Sequence, residues 1–398
     1  PTTSSTRTCM KPLNWPLMHN NILPEDKQAL IKFLESADIL TQASNVEAFE
    51  AEWSRWLGVK YSVFVNSGAS ANLLTMNIVA LMKGRGEVIV PPVTWVSDIA
   101  SVIQTGHKPI FVDISRKHLG MRTDKILQAI GPNTKAVFLT HLLGLNALTT
   151  RLVEELERRK IWLIEDCCEA HGATFKGRKL GSIGAISNFS FYYAHHLSTV
   201  EGGMICTNSE EVYNVARMLR SHGLLRESKS QIYKEQVAKE HPDLNSQFIF
   251  MYPAYNVRST ELNAVIGRSQ LLRLDENNKR RRENLAIFLG HLDPTKYQTK
   301  FRFKGCSPYA LILVLKNQDK ELADKAERLL KDLKVECRRG LSGGGNQLRQ
   351  PFLAKRAREF ASLLPNAEHI HSYSWYIGNY PTLEKEKITD LCIALSAL

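Results

Sequence analysis

Short apolar segments alternate with amphipathic segments through the first half of this chain, and this alternation limits the possible folds more than any other feature. Segments rich in Val, Ile and Phe are typical of buried strands. Five such segments occur, at 61–65, 87–90, 109–113, 136–139 and 161–165. Helical patterns lie between them, most clearly at 67–82 and 97–104. Because strands joined by helices run parallel in one sheet with both faces covered, we expect an α/β fold with a mostly parallel sheet.

Two further helical patterns precede this region, at 24–37 and 46–57. The second begins near Ser44 and Glu47, and Ser-x-x-Glu is the spacing of a capping box, in which the two side chains bind free N–H groups of the first turn. We therefore expect Ser44 to cap the second helix.

The pattern changes in the last third of the chain, where a long helix is predicted at about 260–290. Shorter segments follow, and they predict a strand at 309–315, a helix at 320–333 and a strand at 335–338. The sequence thus predicts a large α/β domain at 20–275 and a smaller C-terminal α+β domain at 276–398.

The chain carries a net charge of +12, which favours anionic partners such as nucleotides, phosphates and carboxylates. The charge is spread along the sequence, and its densest run, at 279–282, is typical of a solvated helix face. Nothing in the sequence resembles a nucleic-acid recognition module. We therefore expect small anionic ligands and no nucleic-acid partner.

The seven cysteines predict reduced thiols, because their spacing does not match the paired motifs of zinc sites and their number is odd. They are Cys9, Cys167, Cys168, Cys206, Cys306, Cys337 and Cys392. No apolar run reaches the length of a membrane span, and residues 1–10 lack the apolar core of a signal peptide. These features predict a cytoplasmic protein with no metal ion and no membrane partner.

Polar and small residues follow several predicted strands, at the edge of the sheet where ligands of such folds bind. The segment 66–72 (Asn-Ser-Gly-Ala-Ser-Ala-Asn) begins a helix, where N–H groups can bind a phosphate, although a helix start without a ligand explains it equally well. Trp95 follows the next strand and is either a platform for a flat ring or a core residue. Asp166 is either the partner of a protonated pyridine nitrogen or a residue of a helix cap or salt bridge.

In this order, these segments resemble the DegT/DnrJ/EryC1/StrS family of sugar aminotransferases, which have the type I fold of pyridoxal-phosphate enzymes. The resemblance extends from about Pro24 to the end of the sequence. The family motif Ser-Phe-x-x-x-Lys, followed closely by Glu-Gly-Gly, is matched at 190–195 and 201–203, with His195 in the place of the lysine. Histidine cannot hold the cofactor covalently as lysine does, but it carries a proton near neutral pH.

Glu169 is a second departure from the family pattern, since the transaminases usually have Gln at this position. Together with the pair His195-His196, it resembles the branch of 3-dehydratases that act on nucleotide-linked 4-keto-6-deoxyhexoses. In the CDP-sugar enzymes of that branch, three cysteines after this motif bind an iron–sulfur cluster, whereas 204–258 contains only Cys206. The resemblance therefore implies the enzymes without a cluster, which act on GDP-4-keto-6-deoxy-D-mannose and use L-glutamate.

The resemblance also implies how the cofactor is held. The backbone amides of Ala69 and Ser70 and the hydroxyl of Ser190 would bind its phosphate. Asn256 would reach that phosphate from the partner subunit of a homodimer with shared active sites. Trp95 would stack on the ring.

Other side chains are assigned to the ring and the substrate by the same resemblance. Asp166 would pair with the ring nitrogen, and Glu169 would lie near the ring hydroxyl. His195 would be the catalytic base, and His222 would contact the sugar or the cofactor. A glutamate carboxylate or a pyrophosphate can bind a guanidinium through two hydrogen bonds, and two arginines are candidates for this, with surface salt bridges as the alternative: Arg258 and Arg338.

The implied activity is removal of the C3 hydroxyl from the sugar in deoxysugar biosynthesis. Pyridoxamine phosphate is the implied working form, and L-glutamate restores it from pyridoxal phosphate. Two alternatives remain: an aminotransferase for nucleotide sugars whose lysine was replaced, and a member of the fold that binds a ligand without catalysis. Glu169 and His196 favour the dehydratase over the first alternative, and identification of the reaction product separates all three.

Overall fold

The computed structural model describes residues 11–360 and 362–398, so the predictions for Cys9 and for 1–10 lie outside the described residues. In this part, a seven-stranded sheet lies between two buried apolar clusters, and a three-stranded sheet forms in the C-terminal region. Among the described residues, no helix combines the length and the apolar character that crossing a membrane requires.

The bounds of the elements within the described residues are as follows. The strands are β1 Tyr61–Val65, β2 Glu87–Val90, β3 Lys108–Phe111, β4 Thr134–Thr140, β5 Trp162–Asp166, β6 Thr174–Phe175, β7 Arg178–Lys179, β8 Ile186–Ser190, β9 Gly203–Thr207, β10 Ala310–Val314, β11 Cys337–Arg339 and β12 Ser374–Gly378. The helices are α1 Pro24–Leu34, α2 Ser44–Leu57, α3 Gly68–Lys83, α4 Val96–Gln104, α5 Thr123–Ala129, α6 Thr150–Arg158, α7 Glu210–Arg220, α8 Gln231–Glu240, α9 Glu261–Leu271, α10 Leu274–His291, α11 Lys320–Asp332, α12 Ala354–Phe360, α13 Pro365–Tyr373 and α14 Lys385–Ser396.

The large sheet has the strand order β1-β9-β8-β5-β4-β2-β3 in the described chain. Its pairs β8–β5, β5–β4, β4–β2 and β2–β3 are parallel. Strand β9 runs antiparallel to both of its neighbours, β1 and β8. The mostly parallel α/β sheet that the sequence predicts is therefore confirmed.

Both faces of the sheet are covered, which explains why the central residues of β2 and β4 are apolar on both sides. In β2, Val88 and Val90 pack in one buried cluster and Ile89 packs in the other. In β4, Phe138 and Val137 divide between the two clusters in the same way. Successive side chains of a strand point to opposite faces, so a strand covered on both sides needs apolar residues at every position.

The start of α2 differs from the prediction. Ala43, not Ser44, is the N-cap residue, and no side chain of the predicted capping box binds there. Instead, the carboxylate of Glu261 accepts hydrogen bonds of 2.8 Å from the N–H groups of Ala43, Asn45 and Val46. A residue from α9 therefore neutralises the free donors that the local motif was expected to bind.

The single helix predicted at about 260–290 is two helices, α9 and α10, which separate at Leu272 and Arg273. The guanidinium of Arg273 donates to the buried carboxylate of Asp26 in α1, at 2.8 Å from Nη1, and to the carbonyl of Asn21 at 2.9 Å. The break between α9 and α10 thus coincides with an ion pair between residues that are far apart in the sequence. A local sequence pattern cannot predict such a pair.

In the C-terminal region, β12 pairs with β10 and β11 in an antiparallel sheet. The segment before α1 joins this sheet: Trp15 is fully buried and its Nε1 donates to the carbonyl of Gly378 at 3.0 Å. Positions 275 and 276, where the sequence predicts the domain boundary, both lie in α10. The division into two domains stays a prediction.

Candidate active site

The turn between β1 and α3 lies directly against β8. Ser67 caps α3, and its Oγ accepts from the Ser70 N–H at 3.0 Å. A Cβ built on Gly68 would stand 2.6 Å from the Cβ of Ser190, so only glycine fits at this approach. The first turn of α3, which contains Ala69 and Ser70, is therefore fixed beside the Ser190 side chain.

Asp166 ends β5 at the same edge of the sheet and is 5% exposed. Its Oδ1 accepts from the Cys168 N–H at 2.9 Å, and its Oδ2 accepts from Nδ2 of Asn72 at 3.2 Å. The Sγ of Cys168 lies close to Gly68, where an added Cβ would stand 3.1 Å from it. Asp166 is thus held beside the turn that precedes α3.

Trp95 is the N-cap residue of α4, and its side chain is 57% exposed. The alternative that it belongs to the core is therefore wrong. The C-terminal loop 340–345 packs nearby, because a Cβ at Gly343 would overlap the carbonyl oxygen of Thr94. An exposed indole after the carboxyl end of β2 is available to stack on a planar ligand.

His195 lies in the loop after β8, half-buried in a wall of other rings. Its ring centroid is 5.9 Å from that of His171 and 5.4 Å from that of Tyr309. Its carbonyl accepts from Nδ2 of Asn21 at 3.1 Å, which ties this loop to the N-terminal segment. Its Nδ1 has no hydrogen-bond partner among the described residues. The imidazole ring of His195 is therefore held by its neighbours, and its Nδ1 makes no hydrogen bond to the described residues.

Burial lowers the pKa of His195 to about 3, and the guanidinium of Arg281 acts in the same direction. The imidazole is thus neutral at neutral pH, which is the form that accepts a proton. The next residue, His196, is already engaged, because its Nε2 bonds to the carbonyl of Ser307 at 2.9 Å. The two adjacent histidines therefore differ in what they can do.

Arg281 is the exception to the prediction that the basic run 279–282 is a solvated helix face, since Lys279 and Arg282 are exposed as predicted. It is 4% exposed, and its guanidinium donates to the carbonyl oxygens of Asn379 and, at 3.1 Å, of Tyr309. Its Nε has no partner within residues 11–360 and 362–398. A buried cation is thus held by backbone carbonyl groups. One of them belongs to Tyr309, whose ring contacts His195.

Glu169 follows Asp166 by three positions and titrates differently from an exposed glutamate, because burial raises its pKa to about 7. Its oxygens accept from the Leu143 N–H at 2.8 Å and from the Ser342 hydroxyl at 2.9 Å. Ser342 belongs to the loop 340–345, so Glu169 links this C-terminal loop to the large sheet. The carboxyl can hold or release a proton near neutral pH.

Three further predicted residues lie together along the edge of β1, next to the turn before α3. Arg258 pairs with Val65 through the backbone. His222 is exposed, with a φ of 61°, and its N–H donates to the carbonyl of Tyr255 at 3.0 Å. Asn256, which pairs with Ser221 through the backbone, is exposed between these contacts, so the three residues form one group.

Arg338 lies on the C-terminal side of the site. It is exposed in β11 and pairs in register with Tyr376 of β12. The ring centroid of Tyr376 is 6.4 Å from that of Tyr309, which contacts His195. Two tyrosine rings therefore connect the strand of Arg338 to the histidine.

The structure adds residues that the sequence did not single out: Asn72, Asp98, Arg281 and Tyr309. Asn72 bonds to Asp98 and Asp166, which are 26 and 94 positions away. The segment 66–72 already ended in Asn72, and Asp98 stands three positions after Trp95. Both were visible as polar residues after strands, but their pairing depends on how three strands come together.

Comparisons with known proteins cover almost the whole chain. Residues 20–396 match the model of the DegT/DnrJ/EryC1/StrS aminotransferase family. A GDP-4-keto-6-deoxy-D-mannose 3-dehydratase of Yersinia pseudotuberculosis is 30% identical, over 95% of this chain and 97% of that protein. A GDP-perosamine synthase of Vibrio cholerae is 28% identical, over 95% of this chain and 97% of that protein.

The fold gives the same result. A solved structure of the Escherichia coli GDP-4-keto-6-deoxy-D-mannose-3-dehydratase with bound hydrated PLP matches with a TM-score of 0.86 at 28% sequence identity. The match covers 97% of this chain and 100% of that one. Since family model, relatives and fold agree over nearly the full length, this chain belongs to the DegT/DnrJ/EryC1/StrS aminotransferase family.

Proposed function

We propose that this protein is a 3-dehydratase that removes the C3 hydroxyl from a nucleotide-linked 4-keto-6-deoxyhexose such as GDP-4-keto-6-deoxy-D-mannose. Its cofactor in this proposal is pyridoxal phosphate, which works as pyridoxamine phosphate and is restored by L-glutamate. The similarity to the two dehydratases, one of them with bound PLP, supports the substrate class and the cofactor. The observation that carries the proposal is a neutral histidine, His195, in the place of the family's lysine.

The residues at the carboxyl edge of the sheet fit a phosphorylated pyridine ring. Ala69 and Ser70 lie in the first turn of α3, whose N–H groups favour an anion, and Ser190 lies beside them. The buried carboxylate of Asp166 fits a protonated ring nitrogen, and the exposed indole of Trp95 fits the ring face. When bound there, the cofactor would supply an amine for the sugar ketone and an electron sink.

His195 is the general base of this proposal. Its neutral ring is the form that can accept a proton, and the rings of His171 and Tyr309 hold it in one place. Because its pKa is lowered to about 3, it does not carry a proton at neutral pH in the cofactor-free chain and is a weak base there, contrary to the expectation from the sequence. An imidazole is shorter and stiffer than a lysine side chain. We infer that it serves the departing hydroxyl and does not reach the sugar carbon that an aminotransferase must protonate.

Glu169 is the second titrating group of the proposed site. In its protonated form it can donate a hydrogen bond to the hydroxyl of the cofactor ring, as a glutamine side chain at this position could. Arg338 is our candidate for the carboxylate of L-glutamate, and Arg258 for the pyrophosphate of the substrate. His222, next to Arg258 at the edge of β1, is our candidate for a sugar contact.

We also propose a homodimer in which Asn256 reaches the cofactor phosphate of the partner subunit. The surrounding segment exposes large aromatic side chains: Phe248 at 57%, Phe250 at 60% and Tyr255 at 82%. Clusters of exposed aromatic residues are typical of protein interfaces. Sedimentation at about twice the 45.0 kDa of the chain is the expected result, and a monomer at working concentration would contradict it.

Product identification tests the proposed reaction. The protein would be mixed with GDP-4-keto-6-deoxy-D-mannose, pyridoxal phosphate and L-glutamate, and the products identified by mass spectrometry. We expect a sugar that has lost its C3 hydroxyl and kept its ketone, together with ammonia and 2-oxoglutarate. The same assay with CDP- and dTDP-linked sugars establishes which nucleotide is preferred. An amino sugar that retains the C3 hydroxyl would contradict the proposal.

The second candidate is a sugar aminotransferase, which the similarity to the GDP-perosamine synthase supports. A His195→Lys variant separates the position of the residue from its chemistry. If His195 occupies the place of the family's lysine, this variant should hold the cofactor so that borohydride fixes it to the chain, whereas wild type should not. Cofactor binding without turnover of any of these sugars would instead indicate a protein that only binds its ligand.

A further inference from the structure

Asp98 is a fully buried carboxyl group that has no role so far. It lies in the first turn of α4 and is 0% exposed. Its Oδ2 lies 2.5 Å and 2.6 Å from the hydroxyl oxygens of Thr94 and Thr140, and its Oδ1 accepts from Nδ2 of Asn72 at 2.8 Å. These partners are all neutral, so no described contact of Asp98 supplies a positive charge to balance an ionised carboxylate.

The amide group of Asn72 also contacts a second carboxyl group, that of Asp166. Nδ2 of Asn72 also contacts Oδ2 of Asp166 at 3.2 Å, so one amide group binds both acids. Thr140, which bonds to Asp98, is also the residue opposite Asp166 in the register of β4 and β5. The two acids therefore form a pair that is buried at the carboxyl edge of the sheet. Two such groups cannot both ionise at low cost, because each anion raises the energy of the other.

The hydrogen bonds around Asp98 show where a proton fits. The Thr94 and Thr140 hydroxyls and Oδ2 of Asp98 form a ring of three contacts, since the two hydroxyl oxygens are also 3.1 Å apart. Each contact needs one proton, and the two threonines supply only two. A proton on Oδ2 of Asp98 completes the ring, with every oxygen donating once and accepting once.

The surroundings of the two acids differ in a way that agrees with this proton count, which places the proton on Asp98. Burial raises the pKa of Asp98 well above its ordinary range, and the charge of Asp166 acts in the same direction. Asp166 accepts from a backbone N–H, that of Cys168, whereas the described donors to Asp98 are all side chains. The thiol of Cys168 also faces this pair and stays neutral, because burial and both carboxyls raise its pKa.

We propose that Asp98 is a protonated positioning residue, which carries the proton of the pair so that Asp166 remains an anion held by Asn72 toward the ring nitrogen of the cofactor. The part of this inference that concerns the cofactor rests on the function proposed above. The protonation of Asp98 does not, because it follows from contacts within the chain.

Infrared spectroscopy of protein prepared without cofactor tests the protonation. Labelling only aspartate with ¹³C at the carboxyl carbon separates its bands from those of Glu169. We expect a protonated aspartic acid band at neutral pH that is absent in Asp98→Asn. The matched control is Asp26→Asn, which removes a buried aspartate that is ionised beside Arg273 and should leave the band unchanged.

Several outcomes would overturn the proposal. One is a wild-type spectrum without any protonated aspartate at neutral pH, which needs no variant to fold. Another is a band that survives in Asp98→Asn, since the proton would then lie on a different residue. If Asp98→Asn does not fold, Thr140→Val serves instead: it removes one hydroxyl of the ring and should shift the band, and an unshifted band counts against Asp98.

Binding of pyridoxal phosphate tests the positioning role. Asp98→Asn, a neutral residue of the same shape, should keep the affinity within about threefold of wild type. Asp98→Ala, which loses the contacts to Asn72, should weaken it by more than about tenfold at an equal folded fraction. Unchanged affinity in the Ala variant, or a tenfold loss in the Asn variant, would contradict the role. If wild type itself bound no cofactor, the proposed function would fail while the infrared band remained.

Discussion

The protonation state of each group in the candidate site is set by side chains outside the motifs that mark it in the sequence. His195 is neutral because burial and Arg281 both disfavour its cation. Glu169 keeps its proton up to neutral pH because burial disfavours its anion. A histidine and a glutamate at these positions would behave ordinarily in water, so the chemistry depends on the packing around them.

Replacing Arg281 by Gln should raise the pKa of His195, because a cation that opposes a second positive charge is removed. Burial remains, so the rise should stop short of the ordinary value of 6.5. NMR titration of ¹³C-labelled histidines in cofactor-free protein measures the shift, with His195→Asn as the assignment. Arg280→Gln is the matched control, since Arg280 also donates to carbonyl groups, of Pro381 and Leu383, and should leave His195 unchanged. Equal shifts in both variants would exclude a specific effect of Arg281.

The pKa of Glu169 predicts a change of activity near neutral pH. Below about pH 7 the protonated carboxyl can donate a hydrogen bond to the cofactor, and above it the carboxylate can only accept. Activity should therefore fall as the pH rises through this value. Glu169→Gln, which donates at every pH, should remove the inflection in kcat/KM and retain activity at alkaline pH. A profile that keeps the inflection in this variant would falsify the assignment.

Folding is linked to the same titration. Because the pKa of Glu169 is raised in the folded protein, its contribution to stability is fully present below its ordinary pKa of 4.5 and is lost as the pH rises through about 7. Glu169→Gln should therefore raise the Tm relative to wild type at about pH 8 more than at about pH 5. Thermal melts at both pH values check the sign, and an equal change at both would contradict the linkage.

At the scale of the elements, the free N–H groups at the beginning of α2 are bound by a residue that is distant in the sequence and not by a local one. Ser44 and Glu47 have the spacing of a capping box, yet the free N–H groups bind Glu261 of α9. A carboxylate that accepts three backbone donors also joins the two helices. The element is therefore stabilised by the tertiary fold and not by its own sequence.

Glu261→Gln should lower the free energy of unfolding by about 1–3 kcal/mol, because one carboxylate oxygen is replaced by an amide NH₂ group, a donor that would face N–H groups. Glu47→Gln is the matched control: Glu47 is exposed and, among the described residues, pairs only with Lys229 at the surface, so its effect should stay below about 1 kcal/mol. Urea denaturation measures both. Equal losses would mean that the predicted capping box contributes after all.

At the scale of the whole molecule, the N-terminal segment connects the two sheets. Trp15 is buried against the C-terminal sheet, and Asn21 bonds to the carbonyl of His195 in the loop after β8. Trp15→Ala should cost about 3–5 kcal/mol of stability through the cavity that it leaves. Trp95→Ala removes an exposed indole, so it should leave stability nearly unchanged and weaken binding of pyridoxal phosphate. Urea denaturation measures the stability of both variants, and cofactor titration measures their binding of pyridoxal phosphate. A loss of stability in Trp95→Ala as large as that in Trp15→Ala would contradict the prediction.

The sequence predicted five strands of the sheet because these are covered on both faces, so that segments such as 88–90 are apolar at every position. It did not predict β8, which has polar residues at three of its five positions. It also pointed to the segment 66–72 and to Asp166, since residues at the carboxyl edge of a parallel sheet follow strands directly. His195 was singled out by the family motif and not by its place in the sheet. It could not pair Asn72 with Asp98 and Asp166, because those contacts arise only when β2, β4 and β5 lie side by side. The burial of Arg281 was not predicted for a related reason: a run of four basic residues does not show which one is buried.

The hydroxyl of Ser342 makes the loop 340–345 part of the acid–base balance of the site, because it bonds to the carboxyl of Glu169. Because this hydrogen bond lowers the pKa of Glu169, a change in the loop that removes the hydroxyl should raise that pKa further. Libraries built at these positions should be screened at more than one pH, since a variant that fails under one buffer can succeed under another.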